Sequence, residues 1–385
     1  MSLFANPSAK PDSPYSAAER DVISLAGAAE ARDAISLCPA YEATPLHTMA
    51  AEAEAWGINA VYFKDEGPRF GLNAFKSLGG AYAVARVLSA HLSEQLGHEV
   101  SIRELARGEH TVLTAPITVA CASSGNHGRA VAAGARHFGC QAVIYVPGDT
   151  LEARAKAVES EGAKVVRHSG TYDDAVRDVE TTARDEGWVV ISDTSWPGYE
   201  DIPKTVMTGY TVMAAEALEQ MIALDAPRPT HVIIQGGVGG VAAATCGYLA
   251  ETLPDDYPTM IVVEPEAAAC VLASAQAGKP SPATGDLQTI VGPLNCQEVS
   301  AIAWPILANR VTAIATVTDD EILAAITDLG ARDTTIGTGP AGAAGYAAAK
   351  QILANPGMRE TLGLTSNSVL LLFGTEGSVA GVGGG

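Results

Sequence analysis

Positive charge is scarce in this sequence. Its 24 Lys and Arg residues are outnumbered by 44 Asp and Glu residues, so the 385-residue chain carries a net charge of −20 at pH 7. Proteins that bind nucleic acids need a basic face, because lysine and arginine neutralise the phosphates. The composition therefore predicts no nucleic-acid partner, although a small anion can still bind where a site is locally positive.

Long apolar runs, paired cysteines and a leader pattern are also missing. No run approaches the ~18 apolar residues that a membrane-spanning helix needs. The six cysteines form no CxxC pair, so we expect buried, reduced thiols rather than disulfides. The first residues lack the charged-then-apolar pattern of a secretory signal. We therefore predict a cytoplasmic protein with no membrane partner and no metal site.

Short apolar strands alternate with alanine-rich helical stretches along most of the chain. The predicted strands are 60–66, 117–124, 141–148, 163–169, 188–194, 231–237, 259–266 and 368–377. Several are continuous apolar runs, as in strands that are buried on both faces. The alternation predicts an α/β fold of mainly parallel sheets covered by helices. Residues 1–20 show no such pattern and are expected to form a loose arm.

One of the predicted strands runs into a turn that is rich in glycine. Gly236, Gly237, Val238, Gly239 and Gly240 separate this strand from an alanine-rich helix. In open α/β folds, ligands bind beyond the carboxyl ends of the strands. Amides without side chains, next to the positive end of a helix, form a nest that suits a phosphate. A tight turn that merely packs is the alternative, but four glycines in five positions exceed what packing requires.

A second turn carries polar side chains at a predicted helix start. Ser123, Ser124, Gly125, Asn126 and His127 follow the strand predicted from residue 117. Two hydroxyls, an amide and free backbone N–H groups at a helix N-terminus suit a carboxylate. An ordinary helix cap formed by Ser124 or Asn126, with His127 packed beside it, accounts for the same residues equally well.

A lysine lies in a segment of small residues. In "GLNAFKSLGGAYAVAR" (71–86), Lys76 follows Phe75 and opens a predicted helix whose Gly79 and Gly80 indicate close packing. Lysine forms imines with carbonyl groups. An imine-forming lysine, a phosphate nest and a carboxylate loop together match pyridoxal 5′-phosphate (PLP) and an amino-acid substrate. For the lysine alone, a solvated helix start is the alternative.

Thr375 follows the last predicted strand, in the sequence "LLLFGTEG". A hydroxyl that faces the pyridine nitrogen of PLP forms a hydrogen bond without delivering a proton. The ring is then a weaker electron sink than one paired with an aspartate, and such a ring suits β-elimination. The alternative is a strand-end threonine that satisfies backbone groups.

Together these elements resemble the tryptophan synthase β/threonine dehydratase class of PLP enzymes, which has fold type II, and within it the diaminopropionate ammonia-lyases. The similar segments are 64–82, 123–132, 142–147, 172–177, 193–199, 202–210, 230–240 and 375–377. The resemblance implies a large PLP-binding domain of residues 1–84 and 201–385 and a small domain of residues 85–200. It places the cofactor in the cleft between these domains, and it implies a homodimer.

The resemblance also implies a role for each matched residue. Lys76 would form the Schiff base with Phe75 close to the ring, and Asn126 would hydrogen-bond the 3′-oxygen of the ring. The glycine turn 236–240 would hold the phosphate, and Thr375 would meet the pyridine nitrogen. Asp193 would act as a base on an L-substrate or hold its side-chain amine, unless it is merely a strand-end carboxylate.

The implied reaction is an α,β-elimination that converts L-2,3-diaminopropionate into pyruvate and ammonia. Ser124 departs from this pattern, because the family has at this position an aspartate that serves the D-isomer. A serine at this position is typical of serine and threonine dehydratases. The turn "GTGPAGAAG" (337–345) also departs from the family's Gly-Glu-Ser-Gly.

Four alternatives therefore stay open. Two use the same fold: a serine, threonine or 3-hydroxyaspartate dehydratase, and a β-replacement synthase. The third is a nicotinamide-dependent oxidoreductase, for which the sequence has no clear GxGxxG motif. The fourth is a PLP-binding protein without catalytic activity.

Overall fold

The computed structural model describes residues 1–123, 125–148, 150–170, 172–332 and 336–379. The chain divides into two compact units. Unit 1 comprises Met1–Ala26, Ala43–Ala74 and the described residues from Thr211 onward, and unit 2 comprises Gly27–Glu42 and Phe75–Tyr210. The predicted small domain, residues 85–200, lies within unit 2, whose bounds are wider and include Lys76.

Strands and helices alternate along the described residues. The strands are β1 (Ser2–Ala5), β2 (Leu46–Thr48), β3 (Ala60–Asp65), β4 (Thr118–Ala122), β5 (Gln141–Pro147), β6 (Lys164–His168), β7 (Val189–Val190), β8 (His231–Gln235), β9 (Thr259–Pro265), β10 (Ala313–Val317) and β11 (Val369–Gly374). The helices are α1 (Ala17–Val22), α2 (Leu25–Ile35), α3 (Ala50–Trp56), α4 (Lys76–Leu96), α5 (Ile102–Ala106), α6 (Thr111–Thr114), α7 (Asn126–Phe138), α8 (Glu152–Glu159), α9 (Tyr172–Glu186), α10 (Asp201–Ala223), α11 (Gly240–Thr252), α12 (Cys270–Ala277), α13 (Trp304–Arg310), α14 (Asp319–Gly330), α15 (Pro340–Ala354) and α16 (Pro356–Leu362).

Each unit is built around one sheet. The strand order is β1-β10-β9-β8-β11-β3-β2 in unit 1 and β6-β5-β4-β7 in unit 2. All neighbours are parallel except the two edge strands of unit 1, β1 and β2, which pair antiparallel. Every residue of β4, β8, β10 and β11 is buried, which explains the continuous apolar runs. The predicted α/β fold with mainly parallel sheets is confirmed, and each of the eight predicted strands contains an observed one.

The prediction of a loose arm over residues 1–20 is wrong. β1 extends the sheet of unit 1 by pairing with β10. Neither of these two strands was predicted from the sequence. The buried Arg310 guanidinium pairs with Glu19 at 2.7 Å and donates to the carbonyl oxygens of Pro11 and Ser13. The arm is therefore ordered by long-range contacts, which leave no periodic pattern in the sequence.

The close packing predicted for the helix that begins at Lys76 is confirmed. A Cβ atom added to Gly80 of α4 would lie 2.8 Å from the Cβ of Ala130 in α7. A Cβ atom added to Gly134 of α7 would lie 2.8 Å from the Cα of Ala81. Side chains at these positions are excluded because the two helix backbones approach each other so closely.

Unit 1 contains a buried group of charged side chains, which we name the core ionic cluster: Lys64, Glu66, Arg69 and Glu216. The side chains of Lys64, Glu66, Arg69 and Glu216 are all 0% exposed. Glu216 accepts from Lys64 Nζ at 2.7 Å and from Arg69 at 2.7 and 2.8 Å. Burial opposes the charge of Glu216, but the Arg69 and Lys64 cations outweigh it and hold the pKa of that carboxyl at about 2.

No helix in the described part of the chain is both long enough and apolar enough to cross a membrane.

Candidate active site

Lys76 begins α4 and is held between a carboxylate and two aromatic rings of unit 2. Its Nζ atom donates a hydrogen bond of 2.6 Å to Asp193 Oδ2. The same atom lies 5.2 Å from the ring centroid of Phe75 and 5.3 Å from that of Tyr210, a range typical of cation–π contacts. Because only 19% of the lysine side chain is exposed, a solvated helix start does not describe it.

Tyr210 is a member of this group that the sequence analysis did not name. Its ring packs edge-on against Phe75, with centroids 4.7 Å apart and an interplanar angle of 65°. Tyr210 belongs to the segment 202–210, which carried part of the family resemblance but no assigned role. Its aromatic character was the available signal, and only the packing of α10 next to Lys76 shows where the ring lies.

Asp193 lies in a turn that folds back on itself after β7. The Tyr199 hydroxyl accepts a hydrogen bond from the Ser192 amide at 2.9 Å and donates one to the Val190 carbonyl at 2.8 Å. The rings of Tyr199 and Trp196 stack, with centroids 4.1 Å apart and an interplanar angle of 11°. The sequence "SDTSWPGY" thus forms a clamp that holds the backbone directly before the carboxylate.

The charge state of Asp193 is set by two opposing effects. Burial opposes ionisation of the carboxyl, but the Lys76 ammonium outweighs it. The pKa of Asp193 therefore lies well below its ordinary value, and the residue is a carboxylate at neutral pH. It binds cations well in this state, but it is a weak base as long as Lys76 keeps its charge.

His127 is the second residue of α7, and its side chain faces the segment that carries Asp193. Its Nε2 atom lies 2.8 Å from the Ile191 carbonyl oxygen, so Nε2–H is the donor. Its Nδ1 atom lies 3.9 Å from Asp193 Oδ2. Burial lowers the pKa of His127 below its ordinary value, so the ring is neutral at pH 7. The backbone N–H of His127 stays a predicted carboxylate ligand, because the ring is engaged elsewhere.

The other residues of this turn are organised by Ser123. Its hydroxyl accepts hydrogen bonds from the amides of Gly125 and Gly128, at 3.2 and 2.9 Å. Gly125 is the N-cap of α7, and the Ser123 hydroxyl bonds an amide in the first turn of that helix. Asn126 is the first residue of α7. Ser124 lies outside the described residues.

The glycine turn of unit 1 connects β8 to the 13-residue helix α11. Gly237 and Gly239 have φ angles of 59° and 89°, in the left-handed region that favours glycine. Within the described part of the chain, the amides of Gly237, Val238 and Gly240 donate no hydrogen bond. Free amides at the N-terminus of a helix are the chemistry that binds a phosphate. The turn fits the predicted phosphate nest.

Thr375 is buried directly after β11, which pairs in parallel with β8. Its hydroxyl forms no hydrogen bond with any other described residue. The carboxyl ends of β8 and β11 lie at one edge of the sheet, so the glycine turn and Thr375 share that edge. Unit 1 therefore offers both a phosphate nest and a free hydroxyl at the position expected for a ligand.

Comparison with known proteins places these features in a family. The family described as pyridoxal-phosphate dependent enzyme matches residues 37–372. The chain is 36% identical over 348 residues to the diaminopropionate ammonia-lyase of Salmonella typhimurium strain LT2, an alignment that covers 88% of this chain and 85% of that protein. This chain belongs to the diaminopropionate ammonia-lyase family of PLP-dependent enzymes.

Solved structures of this ammonia-lyase family share the fold. The diaminopropionate ammonia-lyase of Escherichia coli, in complex with an aminoacrylate-PLP azomethine reaction intermediate, is 33% identical with a TM-score of 0.87. The similarity covers 98% of this chain and 93% of that one. The same Escherichia coli protein in complex with D-serine matches with the same identity, coverage and TM-score. Fold type II and PLP as the cofactor are both confirmed.

Metal ligands are not grouped in the described residues: no three His, Cys, Asp or Glu side chains lie together as a metal site requires. In unit 2, the charged side chains of Lys76 and Asp193 lie beside the neutral ring of His127. We name these three residues the active-site triad. The sequence had given Lys76 and Asp193 separate roles, and the structure brings them into direct contact.

Proposed function

We propose that this chain is an ammonia-lyase that converts L-2,3-diaminopropionate into pyruvate and ammonia. The observation that carries the proposal is the 2.6 Å hydrogen bond between Lys76 Nζ and Asp193 Oδ2. It joins the predicted Schiff-base lysine to the carboxylate that is predicted to face the substrate. A carboxylate attracts the β-ammonium group of a diamino acid, whereas a hydroxy amino acid offers it no such charge.

Five features are proposed to hold the cofactor, and each fits one part of PLP. Lys76 would bind its aldehyde with Phe75 close to the ring, and Asn126 would bind the 3′-oxygen. The free amides of the glycine turn 236–240 would bind the phosphate, and the free hydroxyl of Thr375 would meet the ring nitrogen. When bound, PLP withdraws electrons from the α-carbon of the substrate and makes the α-proton acidic.

Lys76 and Asp193 would divide the handling of protons. A β-amine leaves well only while it is protonated, so its carboxylate partner must bind the ammonium group without taking its proton. Asp193 suits this task, because its lowered pKa makes it a weak proton acceptor beside a cation. Once Lys76 no longer contributes its charge, Asp193 becomes the stronger base, and either residue can then remove the α-proton.

One assay tests the proposal. Release of 2-oxo acid by the purified, PLP-loaded protein is measured with L- and D-2,3-diaminopropionate, L-serine, L-threonine and threo-3-hydroxyaspartate. We expect L-2,3-diaminopropionate to give the highest kcat/KM. The D-isomer should be converted poorly, because Ser124 replaces the acid expected to serve it. A higher kcat/KM for a hydroxy amino acid would contradict the proposal.

A serine or threonine dehydratase is the second candidate, and the turn 337–345 favours it. Thr338 and Gly339 of this turn donate hydrogen bonds to the Glu376 carbonyl oxygen at 3.0 and 3.2 Å. The turn is thus fixed against the backbone and offers a substrate no carboxylate of its own.

Adding sulfide to the same assay would reveal a β-replacement synthase, because sulfide would then reduce the yield of 2-oxo acid.

We also propose that the protein is a cytoplasmic homodimer. The family resemblance supports the dimer, and the unpaired cysteines support a reducing compartment. Light scattering coupled to size-exclusion chromatography tests the oligomeric state: a mass near twice the 39.5 kDa of one chain is expected, and a mass near 39.5 kDa would contradict it.

A further inference from the structure

Two hydrogen-bond acceptors face each other in the active-site triad. The Nε2–H group of His127 donates to the Ile191 carbonyl oxygen, so Nδ1 of the neutral ring carries a lone pair. That atom lies 3.9 Å from Oδ2 of the Asp193 carboxylate. Among the described residues, His127 Nδ1 is buried and has no hydrogen-bond partner. His127 Nδ1 therefore lacks a donor or a proton, whereas Asp193 Oδ2 already accepts from Lys76 Nζ at 2.6 Å.

Burial makes the unpartnered Nδ1 atom of His127 energetically unfavourable. His127 is 5% exposed, and only 14% of the Asp193 side chain is exposed. A buried acceptor without a donor loses its hydration and regains nothing. A proton on Nδ1 would find its acceptor in the Asp193 carboxylate, once the side chains close the 3.9 Å that separate Nδ1 from Oδ2. The arrangement is thus prepared to receive a proton.

We propose that His127 is the proton-accepting partner of Asp193 during the elimination. The inference rests on the function proposed above. The Cα–H bond of the substrate breaks, its electron pair stays with the substrate, and the proton binds Oδ2 of Asp193. That O–H bond then breaks as an N–H bond forms at Nδ1 of His127. Asp193 is restored as a carboxylate, now paired with an imidazolium ion, so His127 acts through Asp193 and needs no contact with the substrate.

The charges around the pair explain why a second acceptor is useful. Burial opposes a charge on His127, Asp193 favours its protonation, and Lys76 opposes it while Lys76 carries its own charge. The neighbouring Cys121 and Tyr210 stay neutral, because burial raises the pKa of both groups. Tyr199 stays neutral for the same reason. Asp193 and Lys76 are thus the charges that decide whether His127 holds the proton.

A purely structural role for His127 must be separated from this one. Its Nε2–H group holds the carbonyl of Ile191, two residues before Asp193, and that contact alone would keep the turn in place. His127→Gln retains an N–H donor that can reach the Ile191 carbonyl, but it has no basic nitrogen towards Asp193. His137→Gln is the matched control, because His137 lies on the same helix and packs edge-on against Phe138 instead.

The first experiment compares the wild type with both variants on L-2,3-diaminopropionate and its α-deuterated form. For His127→Gln we expect kcat to fall ~10²-fold, a typical contribution of proton transfer. The α-deuterium isotope effect on kcat/KM should increase, while cofactor absorbance and the His137→Gln rates match the wild type. If His127→Gln keeps the wild-type rate, isotope effect and pH profile, the inference is overturned.

The second experiment needs no turnover. The side-chain ¹⁵N resonances of the histidines are followed against pH in cofactor-free wild type and in Asp193→Asn. We expect His127 as the Nε2–H tautomer, and we expect its pKa to fall in Asp193→Asn because the favourable negative charge is lost. A neutral ring protonated at Nδ1, or the same pKa in both proteins, would refute the pairing even if His127→Gln failed to fold.

Failure of the proposed function would look different. A wild type that does not convert L-2,3-diaminopropionate contradicts the function, whereas the resonances of His127 still test its pairing with Asp193. The kinetic comparison would then use the amino acid that the wild type does convert.

Discussion

Two lysine–carboxylate pairs, one in each unit, have similar lengths and different surroundings. Lys64 and Glu216 lie 2.7 Å apart in the core ionic cluster, and both side chains are 0% exposed. Lys76 and Asp193 lie 2.6 Å apart in the active-site triad, with 19% and 14% of their side chains exposed. The distance between the charges therefore does not distinguish the two pairs.

The two pairs differ in how fully the polar atoms around them are hydrogen-bonded and in their exposure. The Lys64 ammonium has three N–H donors, and they have three acceptors: Glu216, the Thr44 carbonyl and Gln220, at 2.7, 2.7 and 2.9 Å. Beside the second pair, Nδ1 of His127 has no hydrogen-bond partner in the described part of the chain, and the Lys76 side chain is 19% exposed. Buried charges that are fully satisfied serve the fold, whereas an incomplete and accessible group is available for chemistry.

Lys76→Ala should have the largest effect on activity. It removes the predicted imine, so turnover should fall by roughly 10³-fold or more and the visible absorbance of the imine should disappear. The free energy of unfolding should change little. Activity assays, absorbance spectra and urea unfolding check these outcomes; an unchanged spectrum would refute the assignment of Lys76.

Glu216→Gln should instead lower the stability of the protein. It leaves Lys64 buried without its carboxylate and Arg69 with Glu66 alone, so the free energy of unfolding should fall by about 3–5 kcal/mol. The control Asp328→Asn removes a half-exposed partner of Lys350, and about 0–1 kcal/mol is expected. Chemical denaturation measures both. Equal losses in the two variants would show that the core ionic cluster does not stabilise the fold.

Asp193→Asn tests the difference between the two pairs, because it removes the carboxylate that contacts Lys76. We expect kcat for L-2,3-diaminopropionate to fall ~10²-fold, since the base or ammonium ligand is lost. The free energy of unfolding should fall by less than in Glu216→Gln, because 19% of the Lys76 side chain and 14% of the Asp193 side chain stay exposed. Asp185→Asn, on the exposed face of α9, is the control and should match the wild type. A large loss of stability with normal kcat would contradict the comparison.

The pH dependence of stability should show the smallest effect. The pKa of Glu216 is lowered to about 2 in the folded state, whereas an unfolded glutamate titrates near ~4.3. Its stabilising contribution is therefore present above pH ~4.3 and is lost as the pH falls towards 2. The stability difference between wild type and Glu216→Gln should shrink over this range. A difference that stays constant from pH 5 to about 2.5 would exclude a lowered pKa.

The regular elements of this fold were largely predictable. The buried strands are continuous apolar runs, and the glycines at 79 and 80 indicated a tightly packed helix at Lys76. The strands β1, β2 and β10 were missed, as was the packing of the N-terminal arm. Arg310, which orders that arm, lies almost 300 residues further along the chain. No local pattern records such a contact.

The candidate site, like the fold, was predictable only in part. The sequence indicated Lys76, the glycine turn and Thr375, because their chemistry is visible in short segments. It could not show that Asp193 contacts a lysine 117 positions away, nor that Tyr210 packs beside it. It assigned His127 to carboxylate binding, which stays a prediction for the backbone N–H, and it could not show that the ring faces Ile191 and Asp193.

The sequence by itself determined the alternation of strands and helices, the backbone freedom of the glycine turn and the kinds of chemistry available. These properties depend on the apolar pattern and on the steric limits of each residue, which are local. Only the tertiary structure decided that one lysine–carboxylate pair is fully buried and that the other stays partly accessible beside His127. That difference depends on which side chains the folded chain brings within hydrogen-bond distance and how far water is excluded from them.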